Sequence, residues 1–166
     1  MHKQAPSPLL IALSVICCLS VAMMIYALIT ATHETPFSPP EFDRTALVGT
    51  PEVPQALGYS RLQVEQGFQA YVCGNLLADG RQVDVYFTSP ETNTVWLLLR
   101  LLDEQGRVLG ETGIIRPGEY VKAVTLHAAP DGEQNLQLKI VAYQPETYVS
   151  MGTVGLHTTL KIGGQE

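Results

Sequence analysis

Ser60, Ser89 and Ser150 offer hydroxyl nucleophiles, and His127 and His157 offer the imidazoles that would have to activate them. None of these serines lies in a nucleophile-elbow sequence, and no glycine-rich phosphate loop or HExxH pattern occurs. Neither histidine stands at a spacing that brings it to a nucleophile or to carboxylates, so both read as exposed strand residues. The acidic groups Asp103-Glu104 and Asp131-Gly-Glu133 lack the repeated oxygen-ligand spacing of a calcium loop. These residue types in this pattern predict no catalytic residue, no metal centre and no cofactor, and hence a molecule that works by binding or assembly.

Binding chemistry is better represented. Trp96, the single tryptophan, shares strand parity with Thr94, Leu98, Arg100 and Leu102. Two readings stand: Trp96 packs in the core, or it forms a platform with Arg100, since indole and guanidinium groups dominate interface hot spots and sugar-stacking surfaces. Tyr86 and Tyr143 fall on the wetter faces of their strands. The segments ending in Pro90-Glu-Thr and Pro145-Glu-Thr follow similar apolar strands and hint at a pseudo-repeat, although proline ends a ladder in any strand because it lacks the amide donor. If the match is real, both loops sit at equivalent ends of the domain. Trp96, Arg100, Tyr86, Tyr143, Pro90, Glu91, Pro145, Glu146 and Tyr148 are therefore the candidate contact residues. Cys73, the one cysteine after residue 18, cannot close an internal disulfide with a second ectodomain thiol. It reads as a buried small hydrophobe, with an intermolecular bridge as the alternative.

The elements that must position these residues are strands. From about Tyr59, short alternating or wholly apolar runs are separated by turns at Asp79-Gly80, Asp103 to Gly106, Arg116 to Gly118 and Asp131-Gly132. Seven or eight strands are expected, over 61–66, 69–77, 82–88, 94–102, 108–115, 120–127, 136–143 and 154–162. Leu136, Leu138, Ile140 and Ala142 alternate against polar neighbours, as do Val83, Val85 and Phe87, so each strand has a face to bury. The run Val95 to Leu102 is apolar on both sides except at Arg100 and suits a central strand. Val121 differs in parity from Val124 and Leu126, which calls for a bulge or for Tyr120 to turn inward. The length and pattern predict an immunoglobulin- or fibronectin-like β-sandwich over 59–166.

Ahead of these strands, Leu9 to Ala31 contains no charged side chain. As a helix it would be roughly 34 Å long, enough for a hydrocarbon core of about 30 Å. It runs past the apolar length of a signal peptide and lacks a clean small-x-small ending, and Cys17 and Cys18 follow bulky Ile16 rather than a small residue, which disfavours a lipoprotein. A retained transmembrane helix is expected over 9–31, with 1–8 cytoplasmic and the remainder extracytoplasmic, because Lys3 precedes the run while Glu34, Glu41 and Asp43 follow it. Five of the eleven prolines fall between His33 and Gly58, which predicts an extended stalk over 32–58, unless Phe37, Phe42, Leu47 and Val48 pack on the domain or a partner. From Thr32 onward nine basic residues face sixteen acidic ones, a balance that excludes counterion-release binding to nucleic acid.

The run Cys73-Gly-Asn75, the segment Val95 to Gly113, the turn Ile115 to Tyr120 and the stretch Tyr143 to Tyr148 resemble uncharacterised membrane-anchored β-sandwich proteins of Gram-positive bacteria, mainly over Tyr71 to Ile162. The resemblance implies an immunoglobulin-like fold outside a single N-terminal helix and carries no catalytic residue. The expected function is that of an accessory or structural subunit of a cell-envelope, surface or secretion assembly, in contact with a protein partner or a second copy. A carbohydrate- or cell-wall-binding module using Trp96 and exposed tyrosines is the alternative.

Overall fold

The computed structural model describes residues 8–31, 38–63 and 67–163. It divides into two units, one ending at Ser38 and one beginning at Pro39. In the first, helix α1 covers Pro8–Ala31, 24 residues without a charged side chain. Ile11, Leu13, Leu19 and Val21, on different sides of the helix, are all exposed, so α1 has no polar stripe of the kind a surface helix keeps towards water. Its side chains are described without a break over 11–27; among the described residues no helix is long and apolar enough to cross a membrane. The cytoplasmic segment expected at the amino terminus lies outside the described residues as far as residue 7.

In the second unit, period-two alternation produces the strands and long-range pairing arranges them. The elements are β1 (Leu47–Val48), β2 (Tyr59–Gln63), β3 (Gln69–Cys73), β4 (Leu76–Asp79), β5 (Gln82–Thr88), β6 (Trp96–Leu102), β7 (Val108–Glu111), β8 (Glu119–Thr125), β9 (Gln134–Tyr143) and β10 (Ser150–Ile162). All belong to one hydrogen-bonded sheet, in which eight strands follow the order β1-β8-β5-β4-β10-β9-β6-β7 and the β2–β3 pair branches from β5. Neighbours are antiparallel except β4 and β10, which run parallel from Leu76 opposite Leu160 to Ala78 opposite Ile162.

The sheet curls on itself. Beyond β7 the ladder returns to the end of β8, where the His127 N–H donates to Leu109 O at 2.8 Å. Gly110 permits this approach, since a Cβ there would meet Thr125 O at 2.9 Å and Val124 Cγ1 at 3.1 Å. The expected all-β domain is present, but as a single curled sheet rather than two sheets divided by hydrogen bonding. Its inner face holds Phe87, Leu97, Leu99, Leu101, Leu138 and Ile140, all fully buried.

Three expectations are corrected by this packing. The stalk does not extend over 39–58: Phe42 forms a parallel bridge to Ile114, β1 pairs with β8, Gln55–Leu57 forms one 3₁₀ turn, and Leu57 enters the core. Seven residues, 32–38, lie between α1 and Pro39 in the sequence. The strand expected over 69–77 is broken at Gly74-Asn75, where both amides turn back to bond Gly58 O and Leu57 O. The strand expected from 61 begins instead at 59 and is described as far as 63; the part expected over 64–66 lies outside the described residues.

The parity conflict at β8 is resolved on the facing strand. Register shifts between Asp84 and Phe87, so that Val85 and Tyr86 together oppose Lys122. Val121 and Val124 are then both buried.

Candidate functional site

Trp96 opens β6 opposite Tyr143 at the end of β9. It is half-buried and is met edge-on by two rings: Phe42 at 4.8 Å and 75°, and Tyr148 at 5.4 Å and 64°. The Arg116 guanidinium lies 3.8 Å from the centroid of Phe42, a cation–π contact. Phe42 arrives on the strap 39–48, held by Asp43 N–H to Ile114 O at 2.9 Å and Ile114 N–H to Glu41 O at 2.8 Å. Tyr148 arrives on the β9–β10 loop, closed by Gln144 N–H to Val149 O at 2.8 Å and Tyr148 N–H to Gln144 O at 3.1 Å. Glu146 and Tyr148 adopt positive φ, 68° and 55°. Left-handed backbone at two non-glycine residues costs energy that the closed loop must offset.

Of the nine candidate residues, the structure brings Trp96, Tyr143, Tyr148, Pro145 and Glu146 to this one end. The indole is therefore partly occupied rather than a bare platform. Arg100 lies two places along the same face, beyond buried Leu98, and pairs with Glu111 at 2.8 Å. Tyr86 was expected on a wet face and is instead 7% exposed, because its φ of 44° at the bulge turns it out of the strand's alternation. Its ring meets Lys122, with Nζ 5.8 Å from the centroid.

Pro90 and Glu91 line a different cleft with Tyr59, Tyr71, Thr88, Ser89 and Gly118. Tyr59 and Tyr71 stack at 5.5 Å and 22°. The Tyr59 hydroxyl donates to Thr88 Oγ1 at 2.7 Å, and Thr88 donates on to Tyr86 O at 3.1 Å. Burial pushes the Tyr59 phenol up, partly offset by the Thr88 bond. Both Pro-Glu-Thr loops flank the start of β6, one leading into Trp96 and one leaving its partner Tyr143. The tyrosine pair escaped sequence reasoning because Tyr59 and Tyr71 meet only through the β2–β3 register.

A cleft of about 660 Å³ lies at the opposite end of β6. Its walls are Asp103 to Gly106, Asn135, Gln137 and His157 to Thr159, with Asn135 Nδ2 donating to Glu104 Oε1 at 3.0 Å and Thr159 Oγ1 donating to Asn135 Oδ1 at 3.3 Å. His157 lines it without a nucleophilic serine beside it, and among the described residues no group of His, Cys, Asp or Glu is placed to hold a metal ion.

Cys73 is fully buried in β3, which favours the small-hydrophobe reading over the intermolecular bridge. Burial, reinforced by the Asp84 charge, pushes its thiol from 9.0 up to about 12. In a Cys17→Ala, Cys18→Ala background the folded protein is expected to give no thiol reaction at neutral pH, and one equivalent after denaturation. The unfolded thiol ionises first as pH rises, so stability is full below about pH 9 and falls as pH climbs towards about 12. Alkaline denaturation followed by circular dichroism should show this loss, and Cys73→Ala should lessen it.

The remaining feature is an edge. Strand β10 pairs with β9 along 150–160 and with β4 only at 160–162. Between Ser150 and His157 its second edge has no strand partner among the described residues. Leu160, where β4 closes that edge, is 0% exposed. Val154 and Leu156, on the same inner face where the edge is open, are only half-buried. No charged residue or proline interrupts 150–160, and the protective device present is a bulge, where the ladder to β9 shifts register between Ser150 and Gly152.

Comparison of the chain with protein-family models, curated proteins and solved structures returned no match.

Proposed function

We propose that this chain is a membrane-anchored display module that works through protein–protein contacts in a cell-envelope, surface or secretion assembly. In this reading α1 crosses the membrane once, the residues before it are cytoplasmic and the β-domain is extracytoplasmic. Support comes from the uncharged length of Leu9 to Ala31 and from Lys3 ahead of it, with no lysine or arginine after it before Arg44. The curled sheet serves as an immunoglobulin-like sandwich, with core residues of facing strands meeting between its two halves.

The observation that carries the contact function is the open edge of β10. It presents backbone donors and acceptors beside half-buried Val154 and Leu156, the arrangement by which a sheet accepts one more strand. A photo-crosslinking amino acid at exposed Thr153, in the full chain in intact cells, is expected to give a discrete protein adduct, whereas the same group at exposed Asp131 should not. Absence of any adduct from position 153 would overturn the edge as the contact surface.

The stacked Tyr59 and Tyr71 beside Thr88, Ser89 and Glu91 favour a second reading, glycan binding, because aromatic planes with neighbouring hydroxyl and carboxylate groups are what a sugar face meets. On that reading Tyr71→Ala should abolish retention of the full chain on cell-wall glycan, while Trp96→Ala should leave it intact.

A further inference from the structure

We infer that Asp131 is a site of spontaneous rearrangement to isoaspartate, and that the fold confines this modification to Asp131 by holding the chain's other Asp-Gly step, at Asp79, out of reach of the same reaction. The chemistry needs no cofactor and no redox partner. The amide nitrogen of the next residue attacks the aspartyl Cγ, its proton and the carboxyl hydroxyl leave together as water, and a succinimide ring closes. Water then opens one of the two imide carbonyls. Opening at one restores aspartate; opening at the other leaves the main chain running through Cγ, with the former backbone carbonyl as a free carboxylate. An attack within one residue pair is governed by how readily the two atoms come to about 3–3.5 Å in line. Glycine favours it, because no Cβ shields its amide and its backbone turns freely. Asp-Gly occurs at 79–80 and 131–132, and Asn-Gly does not occur.

Asp79 and Asp131 are both exposed, so access to water does not separate them. The backbone does. Asp79 ends β4 directly opposite Gln82, which makes Gly80-Arg81 a two-residue hairpin turn with Gly80 at a φ of 59°. That turn is fastened to the end of β8: the Leu126 N–H donates to Arg81 O at 2.7 Å, and Arg81 Nε donates to Leu126 O at 2.7 Å. Aiming the Gly80 nitrogen at Asp79 Cγ requires rotation about the Asp79 backbone, which would break the pairing with Gln82 and pull the turn off Leu126. Asp131-Gly132 carries no such ties. After the bond from His127 N–H to Leu109 O, residues 128–133 make no backbone hydrogen bond among the described residues, and neither the Asp131 side chain nor the Gly132 N–H has a partner there. None of 127–133 is buried, and a Cβ on Gly132 would meet nothing within 4 Å. Rotation at Asp131 therefore breaks no bond and disturbs no packing. The product lengthens the main chain by one carbon just ahead of Gln134, where β9 begins.

The full chain, kept folded in detergent over days and then digested, is expected to accumulate isoaspartate at Asp131 at least about tenfold faster than at Asp79, as read by electron-transfer fragmentation of the two peptides. In concentrated urea the turn is lost, and the two rates should come to within about threefold of each other. Asp131→Glu keeps the charge but can close only a larger, unfavourable ring; it should lose the signal at 131 and leave that at 79 unchanged. Equal rates in the folded chain, or a faster rate at Asp79, would overturn the assignment. So would a preference for Asp131 that persists undiminished in urea, since it would then belong to the neighbouring residues rather than to the fold. Absence of isoaspartate from position 131 in the folded chain would sink the proposal outright.

Discussion

Replacing Gly113 with alanine is expected to cost about 2–3 kcal/mol and to shift the emission of Trp96 to longer wavelength. A Cβ at this position would stand 2.4 Å from Asp43 N, 2.5 Å from Asp43 Cα and 2.8 Å from Phe42 C, all backbone atoms that no rotamer change can move aside. The strap must lift. With it go the Gly113 N–H bond to Asp43 Oδ2 at 2.8 Å, the bridge to Ile114 and the edge-on contact of Phe42 with the indole. Since Trp96 is the only tryptophan, its fluorescence reports strap docking without interference. Gly132→Ala, with nothing within 4 Å of its added Cβ, is the matched control and should stay within about 0.5 kcal/mol. Unchanged emission and unchanged urea midpoint in Gly113→Ala would mean that the strap does not depend on this approach.

The second large effect is expected at Asn93, which is buried and acts as a short stand-in for a strand. Its Oδ1 accepts from Gln69 N–H at 2.9 Å, and its Nδ2 donates to Gln69 O at 2.7 Å and to Ser89 Oγ at 3.0 Å. The loop after β5 is thereby tied to the start of β3. Asn93→Ala would strand an amide and a carbonyl of Gln69, and an orphaned buried polar group costs roughly 1–3 kcal/mol. A loss of about 2–4 kcal/mol in urea unfolding is expected. Asn93→Asp keeps the acceptor but removes both donated bonds and brings a charge into a site that is 8% exposed. It should be no better tolerated than alanine at neutral pH. If either variant unfolds at the wild-type midpoint, the side chain is not the tie described.

Where the chain alternates cleanly, its strands were legible from sequence. β5 covers the expected 82–88, and β9 and β10 include the expected 136–143 and 154–162 and extend them. Period two fixes a face, but it does not name the neighbour on either side. The parallel pairing of β4 with β10 joins residues far apart in the chain, so neither the curl nor the open edge could be read from the strand list. The proline-rich segment was read as a spacer because proline favours extended backbone. Extended chain can equally lie against an edge, and here Phe42 and Asp43 dock it. Tyr86 was misplaced for a local reason: a left-handed residue in a bulge breaks the alternation on which its face was assigned.

For the candidate site, the cluster around Trp96 was half legible. Tyr148 was identified and meets the indole, whereas Phe42 joins only once the strap is seen to pack, and Arg116 joins through Phe42. The absence of charge along 150–160 was visible from the start. Its meaning depended on knowing that this strand is half unpaired.

The place of β10 between β4 and β9 also dictates when the domain can form as the chain is made. β10 comes after every other described strand, yet it supplies a neighbour to one of the earliest and to the one just before it. Until residues 150–162 have emerged, β4 and β9 each lack that ladder, and the interior around Leu76 and Leu138 has no wall on that side. The domain therefore closes only once these residues have paired, and such non-local closure is slow. Until they pair, the apolar residues of β4 and β9 wait uncovered on that side.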